Sequence, residues 1–220
     1  MNTKQTIAIV GATGQMGSAL AKSLTGSSYR LLLMGTNQAK LQDLYHQLKK
    51  INQEVDSDWI LCPVDASWEA DIIVLAVPYS AEKDLAAKIA PVTTGKIVIS
   101  ISNPITPDFQ GSLLPEHTSA AEELQALLPY SKVVKAFNTT FAANFGQPVF
   151  SDHVADCFLA GDDEAALSQT EALVKEVGFR PVIAGNLSKS RTLENMQILL
   201  MQLGIKNHYN WHAGWKILHN

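Results

Sequence analysis

The stretch of sequence that decides the fold is QTIAIVGATGQMG, residues 5–17. Its apolar first half has the length and composition of a buried strand, and a helical pattern begins at Met16. Between them, Gly11 permits a tight turn, Gly14 lets the backbone approach a pyrophosphate, and Gly17 lets the helix pack on the strand. Glycines at this spacing between a strand and a helix predict a dinucleotide-binding turn.

Downstream of the turn, apolar runs of strand length alternate with amphipathic helical patterns. This alternation is typical of βαβ units and a parallel sheet. Residues 38–51 predict a helix with one leucine-rich face, and residues 71–77 are apolar enough for a central strand covered on both faces. We therefore predict an α/β fold: a Rossmann doubly wound, mainly parallel sheet with a small C-terminal helical extension.

The end of the second predicted strand, residues 29–34, bears on the choice of cofactor. NAD-binding proteins usually place Asp or Glu there, about 20 residues after the glycines, to bind the ribose 2′-hydroxyl. This chain has Thr36, Asn37 and Lys40 instead, and its first carboxylate after the strand is Asp43. These side chains offer hydrogen-bond donors to a 2′-phosphate, which favours NADP(H). The alternative is that Lys40 is an ordinary solvated lysine on a helix.

The regular pattern loosens around residues 146–152, which suggests two parts. We expect residues 1–150 to form an NADP(H)-binding Rossmann domain and residues 151–220 to form a strand-helix extension packed on it. The sequence leaves open whether this extension continues the same sheet or forms a cap.

Composition and charge disfavour some classes of binding partner. The 220 residues are 46% hydrophobic and 17% charged, with a formal net charge of −4. This balance is globular and gives no electrostatic reason to expect nucleic acid or an anionic membrane. The longest apolar run, residues 72–78, is too short for a membrane span, and the N-terminus lacks a signal-peptide pattern. We expect a cytoplasmic protein with two reduced cysteines and a small-molecule partner.

Five later segments carry a resemblance to one family. In chain order they are LAVPY (75–79), SNP (102–104), VKAFNT (134–139), GNLSKSRTLE (185–194) and GWKIL (214–218). With them the chain resembles the NADP oxidoreductases that depend on coenzyme F420, a deazaflavin. It also resembles the cytosolic NADPH domain of the six-transmembrane epithelial metalloreductases, which use flavin and haem. The resemblance implies an enzyme that moves hydride between NADP(H) and F420 or a flavin such as FAD or FMN.

The resemblance also implies contacts between particular residues and the cofactor. From the pyrophosphate to the nicotinamide ring, the implied contacts are Thr13, Gly14, Gln15 and Met16; then Thr36 and Asn37 for the 2′-phosphate; then Val77, Pro78 and Asn103 for the ribose; and then Ala136, Phe137 and Asn138, with Ala213 opposite. Thr36 and Asn37 replace the Ser-Arg pair of the family. Asn138 stands where the deazaflavin enzymes carry histidine and the metalloreductases carry asparagine. We expect the acceptor to bind near Asn138, the 187–191 loop and the 211–215 segment.

Hydride transfer between stacked rings requires positioning and exclusion of water, so no catalytic side chain is expected beyond positioning by Asn138. The alternatives are an NADPH-dependent flavin or ferric reductase and a non-catalytic sensor of NADP. Tyr79 and Lys83 have the spacing of a short-chain dehydrogenase dyad, but they come too early in the chain. His208 and His212 lack a third ligand nearby, so no metal site is expected.

The apolar stripe of residues 193–203 is explained either by core packing or by a subunit interface, and we expect a homodimer that uses part of this helix.

Overall fold

Strands and helices alternate along the chain in the computed structural model, which describes residues 4–219. In chain order the elements are β1 (Thr6–Val10), α1 (Gln15–Ser23), β2 (Arg30–Met34), α2 (Gln38–Ile51), β3 (Ser57–Ile60), α3 (Pro63–Glu69), β4 (Ile72–Leu75), α4 (Tyr79–Ile89), β5 (Ile97–Ser100), α5 (Ala120–Leu127), β6 (Lys132–Lys135), β7 (Val149–Phe150), β8 (His153–Val154), β9 (Asp156–Gly161), α6 (Glu164–Val177), β10 (Arg180–Gly185) and α7 (Ser190–Asn207).

Eight of these strands form one sheet, in the order β10-β9-β6-β5-β4-β1-β2-β3. The chain builds outward from β1 to β3, then crosses to β4 and builds outward in the other direction. Neighbouring strands are parallel except β6 and β9, which are antiparallel. The strand order therefore reverses between β1 and β4, where open sheets of this kind bind ligands at the carboxyl ends of the strands. This architecture confirms the predicted Rossmann fold class.

Both faces of the sheet are buried. In β1, Ile7 and Ile9 pack on one face with residues of α1, α2 and α6. Ala8 and Val10 pack on the other face with residues of α3, α4 and α5. This alternation explains why the central strands are apolar throughout, because a strand covered on both sides has no solvent-facing positions.

The C-terminal part of the chain continues the same sheet. Strand β9 pairs with β6 through Val134–Gly161 and Lys135–Ala160, and β10 pairs with β9. No helix crosses over between β6 and β9, so β9 starts at the carboxyl edge of β6 and runs back antiparallel. Helix α7 then packs on β9 through Leu193, on the face already covered by α5.

A proline marks the junction between β3 and α3. The sequence of residues 59–64 does not form one continuous strand, because β3 ends at Ile60 and α3 begins at Pro63. Proline fits the first helical position because its missing N–H is not needed there. No helix among residues 4–219 combines the length and apolar character needed to cross a membrane.

Candidate functional site

The glycine turn after β1 has two glycines that packing requires. Gly11 has a φ of +88°, and a Cβ there would lie 2.3 Å from the carbonyl oxygen of Ala76. A Cβ on Gly17 would lie 2.4 Å from the carbonyl oxygen of Gly11. Any side chain at either position would therefore force the β1–α1 turn apart.

Gly14 differs from these two glycines. It is exposed, and the nearest atom to a Cβ placed there would be the Gly11 carbonyl oxygen at 3.3 Å. The protein itself does not require glycine at this position. The smallness of Gly14 is instead explained by a group that approaches the turn from outside, as a pyrophosphate does in the dinucleotide-binding turn.

The N-terminus of α1 provides the charge complement for such a group. Gly14 is its N-cap and supplies no side-chain cap, and the first turn carries no acidic residue. The first amides of a helix have no partner within the helix, and the helix dipole adds partial positive charge there. Together these features make the end of α1 an anion-binding site.

A cleft of about 1280 Å³ extends from this turn across the carboxyl ends of β4, β5 and β6. The lining also runs along α1 to Ser23 and reaches Ile51, so only part of this volume lies at the carboxyl ends of the strands. The predicted cofactor contacts that line it are Gly14, Gln15, Met16, Val77, Pro78, Asn103 and Asn138.

Asn103 and Asn138 form a reciprocal pair in the cleft. The Asn103 Nδ2 donates to the Asn138 carbonyl oxygen, and the Asn138 Nδ2 donates to the Asn103 Oδ1, each at 2.9 Å. Asn138 is buried, and its Oδ1 has no hydrogen-bond partner among the described residues. A buried, unpaired carbonyl oxygen is costly unless a ligand N–H satisfies it. The nicotinamide carboxamide carries such an N–H, so the site fits this cofactor.

Other predicted contacts lie behind the cleft wall. Gly11 and Thr13 belong to the turn itself, and the side chains of Ala136 and Phe137 are fully buried in the core. Contact of Ala136 or Phe137 with a ligand would therefore be through the backbone. Phe137 has a φ of +59°, an uncommon conformation for a bulky residue.

The residues predicted for the 2′-phosphate lie at the end of β2, beside the glycine turn. Gly11 and Ala12 donate to the Met34 carbonyl oxygen there. Asn37 is the N-cap of α2, and its Oδ1 accepts from the Lys40 backbone N–H at 3.0 Å. The side-chain Oδ1 of Asn37 is thus engaged in the helix cap, while the side chains of Thr36 and Lys40 are exposed. The first turn of α2 carries no acidic residue that would repel a phosphate.

Three segments that are distant in sequence form an aromatic wall of the cleft. Trp211 packs edge-on against Phe141, with 5.5 Å between ring centroids, and against Phe109 at 6.1 Å. All three line the cleft. The 187–191 loop, which we expected near the acceptor, is absent from the cleft lining, and Arg191 forms an ion pair with Glu122.

One buried carboxylate anchors the 211–217 segment that carries Trp211. Asp156 accepts from Arg180 Nε and Nη2, each at 2.6 Å, and from the Ile217 backbone N–H at 2.7 Å. Burial alone would raise the pKa of Asp156, but these donors hold it below its usual value. Ala213, a predicted contact, accepts from Asn144 Nδ2 at 2.7 Å and does not line the cleft.

Sequence reasoning missed a buried ion pair beside the cleft. Lys135 Nζ lies 2.7 Å from Glu194 Oε1 and donates to the Ser102 carbonyl oxygen at 2.6 Å, next to Asn103. Burial raises the pKa of the neighbouring Glu82 to about 7, an effect that Lys135 partly opposes. The sequence clue was a lysine within the apolar run of residues 133–137.

Neither alternative motif forms a reactive site. Tyr79 begins α4, and its hydroxyl donates to Glu123 at 2.7 Å. Burial and the nearby carboxylate raise the pKa of Tyr79 to about 12, which is unfavourable for a proton donor at neutral pH. His208 is the C-cap of α7, and His212 lies in a loop. Residues 4–219 contain no group of three or more potential metal ligands.

The reversed strand order, the glycine turn and the cleft together define a Rossmann-type dinucleotide-binding protein. Residues 6–104 match the model of the family described as NADP oxidoreductase, coenzyme F420-dependent. The chain is 31% identical to the F420-dependent NADP reductase of Methanocaldococcus jannaschii, covering 91% of this chain and 92% of that protein. The chain therefore belongs to the coenzyme F420-dependent NADP oxidoreductase family.

Two further proteins are similar to this chain, one in fold and one in sequence. A solved structure from Arthrobacter sp. FB24, provisionally assigned as an F420-dependent NADP reductase, shares the fold at a TM-score of 0.78 and 21% identity, covering 92% of this chain and 94% of that one. Metalloreductase STEAP3 of Rattus norvegicus is 26% identical over 89% of this chain and 37% of its own length. Both resemblances seen in the sequence are thus confirmed.

Proposed function

We propose that the protein transfers hydride between NADP(H) and coenzyme F420. The observation that carries the proposal is the cleft itself, which begins at an anion-binding helix end, passes the Asn103–Asn138 pair and ends at an aromatic wall. A dinucleotide accounts for the first two features and a second planar ring for the third. The F420-dependent NADP reductases among its relatives match this chain over nearly its whole length.

In this reaction the C4–H bond of the reduced nicotinamide breaks with its electron pair, and a C–H bond forms on the deazaflavin, which also takes up a proton from water. The chain contributes geometry. The end of α1 would hold the pyrophosphate, and Asn138 Oδ1 would accept from the carboxamide N–H. The Asn103–Asn138 pair keeps that oxygen in place, which preserves the alignment of the rings.

The preference for NADP(H) over NAD(H) is proposed to come from Thr36, Asn37 and Lys40. The Asn37 Nδ2, the Thr36 hydroxyl and the Lys40 ammonium are all available at the end of β2, and no carboxylate lies in the first turn of α2. A 2′-phosphate bound there would also benefit from the N-terminal dipole of α2.

A flavin such as FMN or FAD is the second candidate acceptor. One observation favours it: Asn138, in the cleft, is the residue expected of the metalloreductases at this position. A purely sensory role is disfavoured because the wall opposite the glycine turn is open and largely apolar, lined by residues such as Ile105, Phe109, Met201 and Trp211.

The test is a steady-state assay of NADPH oxidation with F420, FMN and FAD as separate acceptors. We expect turnover with F420, and direct transfer of deuterium from one face of nicotinamide C4 to the reduced deazaflavin. Flavin turnover with a primary isotope effect and no F420 turnover would select the second acceptor. NADPH binding without turnover on any acceptor would contradict an enzymatic role.

We also propose that the protein is a homodimer formed in part through α7. Leu199 and Ile205 on this helix are 47% and 49% exposed, although the chain buries a large core of its own. Covering such apolar side chains favours association. Sedimentation should show a dimer at micromolar concentration. A monomer at high micromolar concentration would contradict this proposal.

A further inference from the structure

Gln197 is a buried amide in the cleft that the proposed roles so far leave unused. It lies on α7, is 4% exposed and lines the cleft. Its Oε1 has no hydrogen-bond partner among the described residues. Leaving such a carbonyl unpaired is unfavourable, and rotation of the amide about its terminal torsion would turn Oε1 toward a donor bound in the cleft.

The surrounding helix holds Gln197 in place. Three residues earlier, Glu194 pairs with Lys135 at 2.7 Å, and its other oxygen accepts from the Ala120 backbone N–H at 3.1 Å. Five residues later, Gln202 Nε2 donates to the Phe109 carbonyl oxygen at 3.0 Å. With α7 fixed on both sides of Gln197, its amide is presented to the cleft from a rigid support.

The side of the cleft indicates which ligand the amide meets. Helix α1, which offers its N-terminus to the pyrophosphate, packs on one face of the sheet. Helix α7 packs on the opposite face, through Leu193 against Phe158 and Ala160. Gln197 therefore approaches the cleft from the side away from α1. A second ring stacked on the nicotinamide would lie between the cofactor and this wall.

We propose that Gln197 recognises the pyrimidine edge of the acceptor ring, an inference that rests on the proposed function. In deazaflavins and flavins this edge presents one ring N–H between two carbonyl groups. A carboxamide complements it, because Oε1 accepts from the N–H while Nε2 donates to an adjacent carbonyl. Gln197 is thus a specificity-determining residue that selects acceptors with this edge and fixes their orientation over the nicotinamide.

The test uses Gln197→Met, which keeps the side-chain length and removes the amide. The matched control is Asn195→Leu, on an exposed amide of the same helix that bonds the Arg191 carbonyl oxygen instead of lining the cleft. The probes are F420 and an analogue methylated at the pyrimidine N–H, titrated as oxidised acceptors onto the NADP⁺-saturated protein and assayed for turnover with NADPH.

We expect Gln197→Met to weaken F420 binding and raise its KM by roughly tenfold, the scale of one lost hydrogen bond in a buried site. The Kd of NADPH should change by less than about twofold, the same small change as in the control. Wild-type protein should bind F420 more tightly than the methylated analogue by a similar factor, and the variant should no longer distinguish them.

Three results would overturn the inference. Equal discrimination against the methylated analogue by wild type and variant would mean that the amide does not contact this edge. A weaker NADPH affinity with unchanged F420 affinity would assign Gln197 to the nicotinamide carboxamide. No binding of F420 to wild-type protein would refute both proposals, whereas F420 binding without hydride transfer would refute only the proposed reaction.

Discussion

Replacing Glu82 with glutamine should remove a pH dependence of stability that the structure builds in. Glu82 lies on α4, is 3% exposed and shares its surroundings with Lys135 on β6 and Glu194 on α7. Burial raises its pKa from 4.5 to about 7; Lys135 opposes this rise and Glu194 adds to it. The folded state therefore favours the protonated carboxyl.

The direction of this pH dependence follows from the thermodynamic linkage between folding and proton binding. Because the folded pKa lies above the unfolded one, the contribution of Glu82 to stability is fully present below pH 4.5 and is lost as the pH rises through about 7. One pKa unit corresponds to about 1.4 kcal/mol, so the loss by pH 8 is on the order of 3 kcal/mol. Glutamine mimics the protonated form. Glu82→Gln should differ from the wild type by less than about 1 kcal/mol near pH 5 and be more stable by about 3 kcal/mol at pH 8.

The assay is urea unfolding followed by circular dichroism between pH 5 and pH 8.5. Glu171→Gln is the control, because Glu171 forms an exposed i,i+4 pair with Lys175 at 2.7 Å. Such pairs contribute well under about 1 kcal/mol, so the control should follow the wild type. A free-energy difference between Glu82→Gln and wild type that stays constant with pH, or a variant less stable at pH 8, would refute the reasoning.

Three further variants test the cofactor site and the core. Gly14→Val should lower NADPH affinity by at least roughly tenfold without unfolding the protein, since Gly14 has an extended backbone conformation that valine also adopts. The control is Gly26→Val, which lies away from the cleft. Unchanged NADPH affinity of Gly14→Val in a fluorescence titration would contradict the assignment of the pyrophosphate to the glycine turn. Lys40→Ala should narrow the ratio of NADPH to NADH affinity by roughly fivefold, and equal wild-type affinities for the two cofactors would contradict the 2′-phosphate assignment. Lys135→Met should lower the free energy of unfolding by about 3–5 kcal/mol, because it leaves Glu194 unpaired in the core. Adding Glu194→Gln should recover most of that loss. A loss under about 1 kcal/mol in Lys135→Met would show that the ion pair does not stabilise the fold.

Local sequence rules predicted the parts of the fold that local physics controls. The glycine spacing correctly indicated the tight turn at Gly11 and the helix contact at Gly17, because both depend on the absence of a Cβ. Helix 38–51 was predicted with the bounds observed for α2. It begins at a side-chain cap from Asn37, a residue that we had predicted only as a contact for the 2′-phosphate.

Features that depend on three-dimensional contacts could not be predicted in the same way. The sequence of an apolar strand does not indicate whether it pairs parallel or antiparallel with its neighbour. The antiparallel orientation of β9 became known only from its pairing with β6 in the structure. The far wall of the cleft joins Phe109, Gln197 and Trp211, which are separated by long stretches of chain. No local pattern marks residues that meet only after the sheet has formed.

The anchoring of residues 211–217 has a consequence for folding during synthesis. The chain just after Trp211 is held to the sheet by Asp156, whose carboxylate accepts from the Ile217 backbone N–H and whose backbone N–H donates to the Trp215 carbonyl oxygen at 2.8 Å. Strands β1 to β6 and the glycine turn are translated well before this segment. A nascent chain therefore forms the dinucleotide-binding part of the cleft before Trp211 completes the aromatic wall of the acceptor part. We expect ribosome-bound chains to acquire NADPH binding earlier than any capacity to reduce an acceptor.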